Sequence, residues 1–202
     1  MHQSQGEENI LRNDHPDTIT SHCNLALLYK SEERFREAEQ YYIKALRIAE
    51  KSLGSKHSET QYVVKKLSQL YRRMKEYDNA LSFYLRHLDF LLTQNDPNDE
   101  SLSIQHWNIA VCLKKLDRYS EAIIHRQRCW EIECLHDGPD APSTLQTVIA
   151  LSEDYIASGD PENAMKIVLS ALDALQQSTA DNPKRGEWVE RLTNQLIEIK
   201  SS

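Results

Sequence analysis

Hydrophobic and small residues recur along this chain at helical spacing, and the whole pattern repeats every 42 residues. Asn24-Leu-Ala-Leu-Leu-Tyr29 aligns with Lys66-Leu-Ser-Gln-Leu-Tyr71, Asn108-Ile-Ala-Val-Cys-Leu113 and Ala150-Leu-Ser-Glu-Asp-Tyr155 in one unbroken register. Ala26, Ser68, Ala110 and Ser152 share a small-residue position, and Ala38, Ala80, Ala122 and Ala164 share another. Phe35, Tyr77, Tyr119 and Pro161 share the position that opens a second helix. Small residues at two fixed places let paired antiparallel helices approach closely. Leu25, Leu67, Ile109 and Leu151, with Leu46, Leu88, Trp130 and Leu172, are then expected to fill the space between them. A single hairpin cannot bury both of its apolar faces, so hairpins stack on their neighbours into a curved solenoid.

Turn chemistry keeps the same phase. Asp14-His-Pro-Asp-Thr18 matches Lys56-His-Ser-Glu-Thr60 and, less closely, Asp140-Ala-Pro-Ser-Thr144. Pro near a helix start, with Asp, Ser or Thr beside it, suits the unpaired amides there. Asn95-Asp-Pro-Asn-Asp99 and Asp137-Gly-Pro-Asp140 break the chain where breaks are due. The reading is an all-α chain of four antiparallel helix pairs within residues 9–178, at about 17–52, 59–93, 100–135 and 142–176. Residues 179–202 are expected to form a linker, turned at Asn182-Pro183, and a C-terminal capping helix carrying Trp188, Leu192, Leu196 and Ile199. Residues 1–8 are expected to be disordered, and Glu8-Asn-Ile-Leu11 aligns with the helix tail Glu50-Lys-Ser-Leu53.

Composition narrows the function classes. Few Gly and Pro, five and six in 202 residues, fit long helices. A net charge of −7 opposes general binding to nucleic acid or anionic membranes. No apolar run approaches the ~20 residues a membrane-spanning helix needs, and the N-terminus has no signal-peptide core, so a cytoplasmic location is expected. Cys23, Cys112, Cys129 and Cys134 show no disulfide framework and read as free thiols. There is no Gly-rich phosphate loop, and Gly54, Gly138 and Gly159 fall at turns. His125 and Cys129 lie four apart on one helix, yet their spacing to Cys134 and His136 does not converge four ligands on a metal. Acid pairs such as Glu32-Glu33 and Glu153-Asp154 read as solvated helix faces. Neither an enzyme nor a cofactor is expected.

The segment from His15-Pro-Asp-Thr18 through Asn24-Leu-Ala-Leu-Leu-Tyr29, Phe35-Arg-Glu-Ala-Glu39, Tyr42, Ala45-Leu46 and Leu53-Gly54 resembles the 42-residue tetratricopeptide repeat of kinesin light chains. Later copies drift but hold phase to about residue 176. The chain lacks the heptad segment of intact light chains. The resemblance implies a scaffold or adaptor whose inner groove, lined by the first helix of each pair, binds a protein or peptide, often a short acidic segment bearing an aromatic residue.

Register then places candidates on that groove. Asn24, Lys66, Asn108 and Ala150 occupy the position where similar repeats carry an Asn that bonds a peptide backbone. Cys23, Lys65, Trp107 and Ile149 form a second ladder, and Lys30, Arg72, Lys114 and Ile156 a third, extended by Arg73 and Lys115. Three like charges in one curve would repel, which an acidic ligand relieves; equally, cations in a helix's last turn complement its dipole. Tyr62 and Trp107 are candidate apolar contacts or packing residues, and Gln69 completes the polar set. The alternatives are a repeat protein that assembles with copies of itself, or a regulatory subunit of an enzyme encoded elsewhere.

Overall fold

The computed structural model describes residues 16–178 and 184–201. The expected disorder of 1–8, the tail at Glu8–Leu11 and the turn at Asn182-Pro183 lie outside the described residues. Within them the chain is all helix: α1 (Pro16–Ser31), α2 (Phe35–Ser52), α3 (Ser58–Arg73), α4 (Tyr77–Gln94), α5 (Ser101–Lys115), α6 (Tyr119–His136), α7 (Pro142–Ala157), α8 (Pro161–Gln177) and α9 (Arg185–Ser201). They divide into two compact units, residues 1–93 and 94–202. The first unit holds hairpins α1–α2 and α3–α4. The second holds α5–α6 and α7–α8, with α9 packed on α8.

The small-residue positions are the tightest points of each hairpin. Ala26, Ser68, Ala110 and Ser152 are fully buried, as are Ala38, Ala80, Ala122 and Ala164. A larger side chain there would force the helices apart, at about 1–3 kcal/mol for overpacking. Leu67, Ile109 and Leu151 are buried as their register requires, but Leu25 remains 41% exposed. In the second hairpin α2 packs against α3 and buries Leu67 and Leu70. Their equivalents on α1, Leu25 and Leu28, have no such covering helix among the described residues, and Leu28 is 53% exposed. In the second unit Trp188, Leu192 and Ile199 of α9 join Leu145, Val148, Ala164, Val168 and Leu175 in one core. The expected capping role of α9 is thus realised by an apolar stripe over the last hairpin.

The turn inside each hairpin repeats as faithfully as the helices. Glu33, Lys75, Asp117 and Gly159 adopt positive φ of 59°, 61°, 57° and 82°, each 42 residues from the last. At each, two backbone hydrogen bonds close the helix end. In the first hairpin Glu33 N–H donates to the Lys30 carbonyl (3.2 Å) and Arg34 N–H to the Tyr29 carbonyl (2.9 Å). Lys75 and Glu76 bond Arg72 and Tyr71 likewise, Asp117 and Arg118 bond Lys114 and Leu113, and Gly159 and Asp160 bond Ile156 and Tyr155. Only the fourth repeat uses the residue that fits this backbone without strain.

Between hairpins, Gly54 and Gly138 turn the chain at positive φ, and the hydroxyls of Thr60 and Thr144 donate to their carbonyls at 2.8 and 2.7 Å. The connection over 95–100 is built differently. Asp96 and Asp99 accept from the backbone amides of Asn98 and Ser101, while Arg128 and His136 of α6 bond Pro97 and Asn98.

Relieving the left-handed strain should stabilise the fold. Lys75→Gly is expected to raise unfolding free energy by about 0.5–1 kcal/mol, and Gly159→Ala to lower it by about 1 kcal/mol, in urea melts followed by circular dichroism. No gain from the first and no loss from the second would show that these turns carry no backbone strain.

Candidate functional site

The first helices of the first unit, α1 and α3, line two clefts in common. One, of about 230 Å³, is bounded by Ile19, Thr20, Cys23 and Asn24 of α1 and Glu59 and Tyr62 of α3. The other, of about 370 Å³, is bounded by Leu27, Lys30, Ser31, Glu33 and Arg73. Asn24 is exposed at the first cleft. The Lys66 ammonium sits 4.8 Å from the centre of the half-exposed Tyr62 ring. The thiol of buried Cys23 beneath them is pushed up to about 11 by burial, against the charge of Lys66, so it stays protonated at neutral pH.

At the second cleft the cations Lys30 and Arg73 outnumber the one carboxylate, Glu33. Burial, then the neighbouring Lys66, Arg73 and Arg72, hold the Lys30 ammonium below its ordinary value. None of these four cations makes an ion pair among the described residues. Arg73 instead lies 5.8 Å from the Phe35 ring centre. Lys30 and Arg72 also supply the carbonyls that close the helix ends, so they do stand in the last turn, where the dipole favours a cation. The dipole favours Lys30, Arg72 and Arg73 in those last turns, but it does not by itself explain why Lys66, Arg73 and Arg72 all lie within electrostatic reach of Lys30. Of the remaining candidates here, Gln69 is half-buried on the same helix as Lys66, and Lys65 is exposed with its charge acting on His87.

The second unit uses the same frame with different contents. Trp107 and Asn108 are half-buried on α5. The Arg126 guanidinium lies over the Trp107 ring, 4.5 Å from its centre. Arg126 is only 2% exposed, and its Nε donates to Asp154 Oδ2 at 2.6 Å; Asp154 is fully buried. Arg126 Nη1 is buried without a hydrogen-bond partner. Lys114 Nζ pairs with Glu153 at 2.7 Å and approaches Asp154 at 3.3 Å. Lys114 is therefore not the free cation that its register with Lys30 and Arg72 suggests. Glu153 and Asp154, read from sequence as a solvated acid pair, are respectively its surface partner and a buried counterion.

Arg126 is missed by the ladders because it lies on a second helix. Its register mates give the signal: Tyr42, Tyr84 and Val168 are buried, so a charge at this phase demands a partner. Offset by 84 residues, Arg126 and Asp154 stand where the first unit has Tyr42 and Leu70.

His106 and His125 face each other, Nδ1 to Nδ1 at 3.0 Å, and burial pushes His106 down to about 4. Among the described residues no three His, Cys, Asp or Glu side chains gather as metal ligands, and no helix is long and apolar enough to cross a membrane. Among the described residues Cys23, Cys112, Cys129 and Cys134 form no disulfide with one another.

A tetratricopeptide repeat family model matches residues 7–51 and 17–93. Among solved structures, a protein from Podosopora anserina described as a kinesin light chain with nearly identical TPR-like repeats superposes with a TM-score of 0.70 at 17% identity, covering 93% of this chain and 97% of that one. A variant of that protein gives 0.71 at 17% identity, over 93% and 92%. BtubC (BKLC) from P. vanneervenii gives 0.62 at 19% identity, over 98% and 85%. No match to a protein of curated function was found. The chain has the tetratricopeptide-repeat fold, shared with kinesin-light-chain-like structures, and that fold generally mediates protein–protein interaction.

The Arg126–Asp154 pair makes a direct prediction. Asp154→Leu alone strands a buried guanidinium and should cost about 3–5 kcal/mol. Arg126→Tyr with Asp154→Leu, which copies the first unit, should recover most of that loss in denaturant melts. If the double variant is no more stable than the single, the two side chains are not coupled.

Proposed function

We propose that this protein is a binding scaffold that captures an acidic peptide segment on the face shared by α1 and α3. The observation that carries the reading is the group of Lys30, Lys66, Arg72 and Arg73, four cations of one unit without acidic partners among the described residues. Carboxylates of a ligand would relieve their repulsion and make charge-assisted hydrogen bonds. The adjoining cleft at Ile19, Cys23 and Tyr62 gives an apolar side chain of the same peptide a place to be buried, and Asn24 a means to bond its backbone. The two clefts are served by residues 20–24 and 30–31 of one helix, about 10 Å apart along its axis, which an extended peptide crosses in about three residues. On this reading Trp107, Asn108 and Lys114 belong to a separate, second-unit face.

A fluorescein-labelled peptide with one Trp in a run of Glu and Asp should bind the full chain and weaken as salt is added. Lys30→Glu together with Arg72→Glu should weaken it at least tenfold, and a Lys-rich control peptide should not bind. Affinity that ignores both salt and these substitutions rejects the acidic-peptide reading.

The exposure of Leu25 and Leu28, whose equivalents Leu67 and Leu70 are fully buried, favours a second reading in which copies of the chain associate through the open face of α1. Light scattering over a concentration series is then expected to show a mass above that of the monomer, lost in Leu25→Glu with Leu28→Glu. A monomer at the highest concentration excludes it.

A further inference from the structure

Each unit contains an internal control for the other, because an 84-residue offset brings their registers into line. Lys30 of the first unit corresponds to Lys114 of the second, Gln69 to Glu153, and Leu70 to Asp154. Lys66, Arg72 and Arg73 correspond to Ala150, Ile156 and Ala157. The second unit thus has one cation where the first has four, and that cation is already bound by a carboxylate of its own chain, at 2.7 Å.

We infer that Glu153 is a specificity-determining residue that closes the second unit's face to acidic ligand groups by holding Lys114 as an internal carboxylate. This rests on the acidic-peptide reading of the first unit. Glu153 and Asp154 divide the work. Asp154 is fully buried and balances Arg126 in the core; its Oδ1 reaches Lys114 only at 3.3 Å. Glu153 is about half exposed, with a side-chain exposure of 49%, so it contributes little to packing and stands where a ligand carboxylate would approach Lys114. An acid arriving at Lys114 must either displace Glu153 or lie beside a second negative charge; Lys115, next along α5, is exposed and makes no ion pair among the described residues. Beside this ion pair the face offers the half-buried Asn108, Ile156 and Trp107, with the Arg126 guanidinium 4.5 Å from the centre of the Trp107 ring. The first unit, with Gln69 in place of Glu153, leaves Lys30 open.

The labelled Trp-containing acidic peptide tests this on the full chain. Glu153→Gln removes the internal carboxylate while keeping size and hydrogen bonding. It should add a second, salt-sensitive binding event to that of the first unit, raising the number of peptides bound per chain at saturation, and adding Lys114→Met should abolish the gain. Gln69→Glu, which installs the second unit's arrangement in the first, should weaken first-unit binding threefold or more. The inference is overturned if Glu153→Gln leaves the number of peptides bound per chain unchanged, or if its gain survives Lys114→Met. The underlying reading fails separately, through indifference to Lys30→Glu with Arg72→Glu.

Discussion

The structure depends on how closely two helices can approach within a hairpin. Ala26 and Ala38, both fully buried, set that distance in the first copy, and Ser68 with Ala80, Ala110 with Ala122, and Ser152 with Ala164 set it in the others. Because the helices come closest at these points, every other residue has a fixed phase relative to them. Some phases face the partner helix, others the next hairpin, and others solvent. The left-handed turns at 33, 75, 117 and 159 follow from the same constraint, since the chain must reverse at one place for the small residues to meet. Three of the four make that reversal with strain in a residue other than glycine.

Within this frame the two units differ in how they fill the space between a second helix and the next first helix. In the first unit the set is Tyr42, Ala45, Ala49, Val63 and Leu70, all buried. In the second, the same phases carry Arg126, Cys129, Glu133, Thr147 and Asp154. The polar set is knitted by Arg126 to Asp154 and by the Cys129 thiol to Glu133 and Thr147, and burial raises the Glu133 carboxyl above its ordinary value. Replacing a buried ion pair by apolar packing of equal volume is often neutral or stabilising, so the polar set is a different solution to the same interface and not a stronger one.

The surface shows the opposite arrangement. In the first unit an apolar interior lies beneath cations that make no ion pair among the described residues, whereas in the second a charged interior extends to the surface, where Lys114 is paired with Glu153. One repeat architecture therefore presents two chemically distinct faces. A charge reaches solvent free or compensated according to one or two neighbours on the adjoining hairpin.

Much of this was legible in the residues. The 42-residue register determined the helical hairpins, the buried small positions and the residues that open the second helices, because these depend on side-chain size and helix period, which are local properties. The positions of Lys30, Arg72 and Lys114 at helix ends were legible for the same reason. Their charge environment was not. Lys114 looks like Lys30 in the ladder, and only packing α7 beside α5 brings Glu153 to one while Gln69 stands at the same phase for the other. Trp107 as a ring held by Arg126, and Leu25 as an exposed rather than filling residue, were likewise decided by which helix lies alongside. Periodicity determines which face a side chain occupies. Only the tertiary structure decides what faces it, because electrostatic and packing energies belong to pairs of residues distant in sequence.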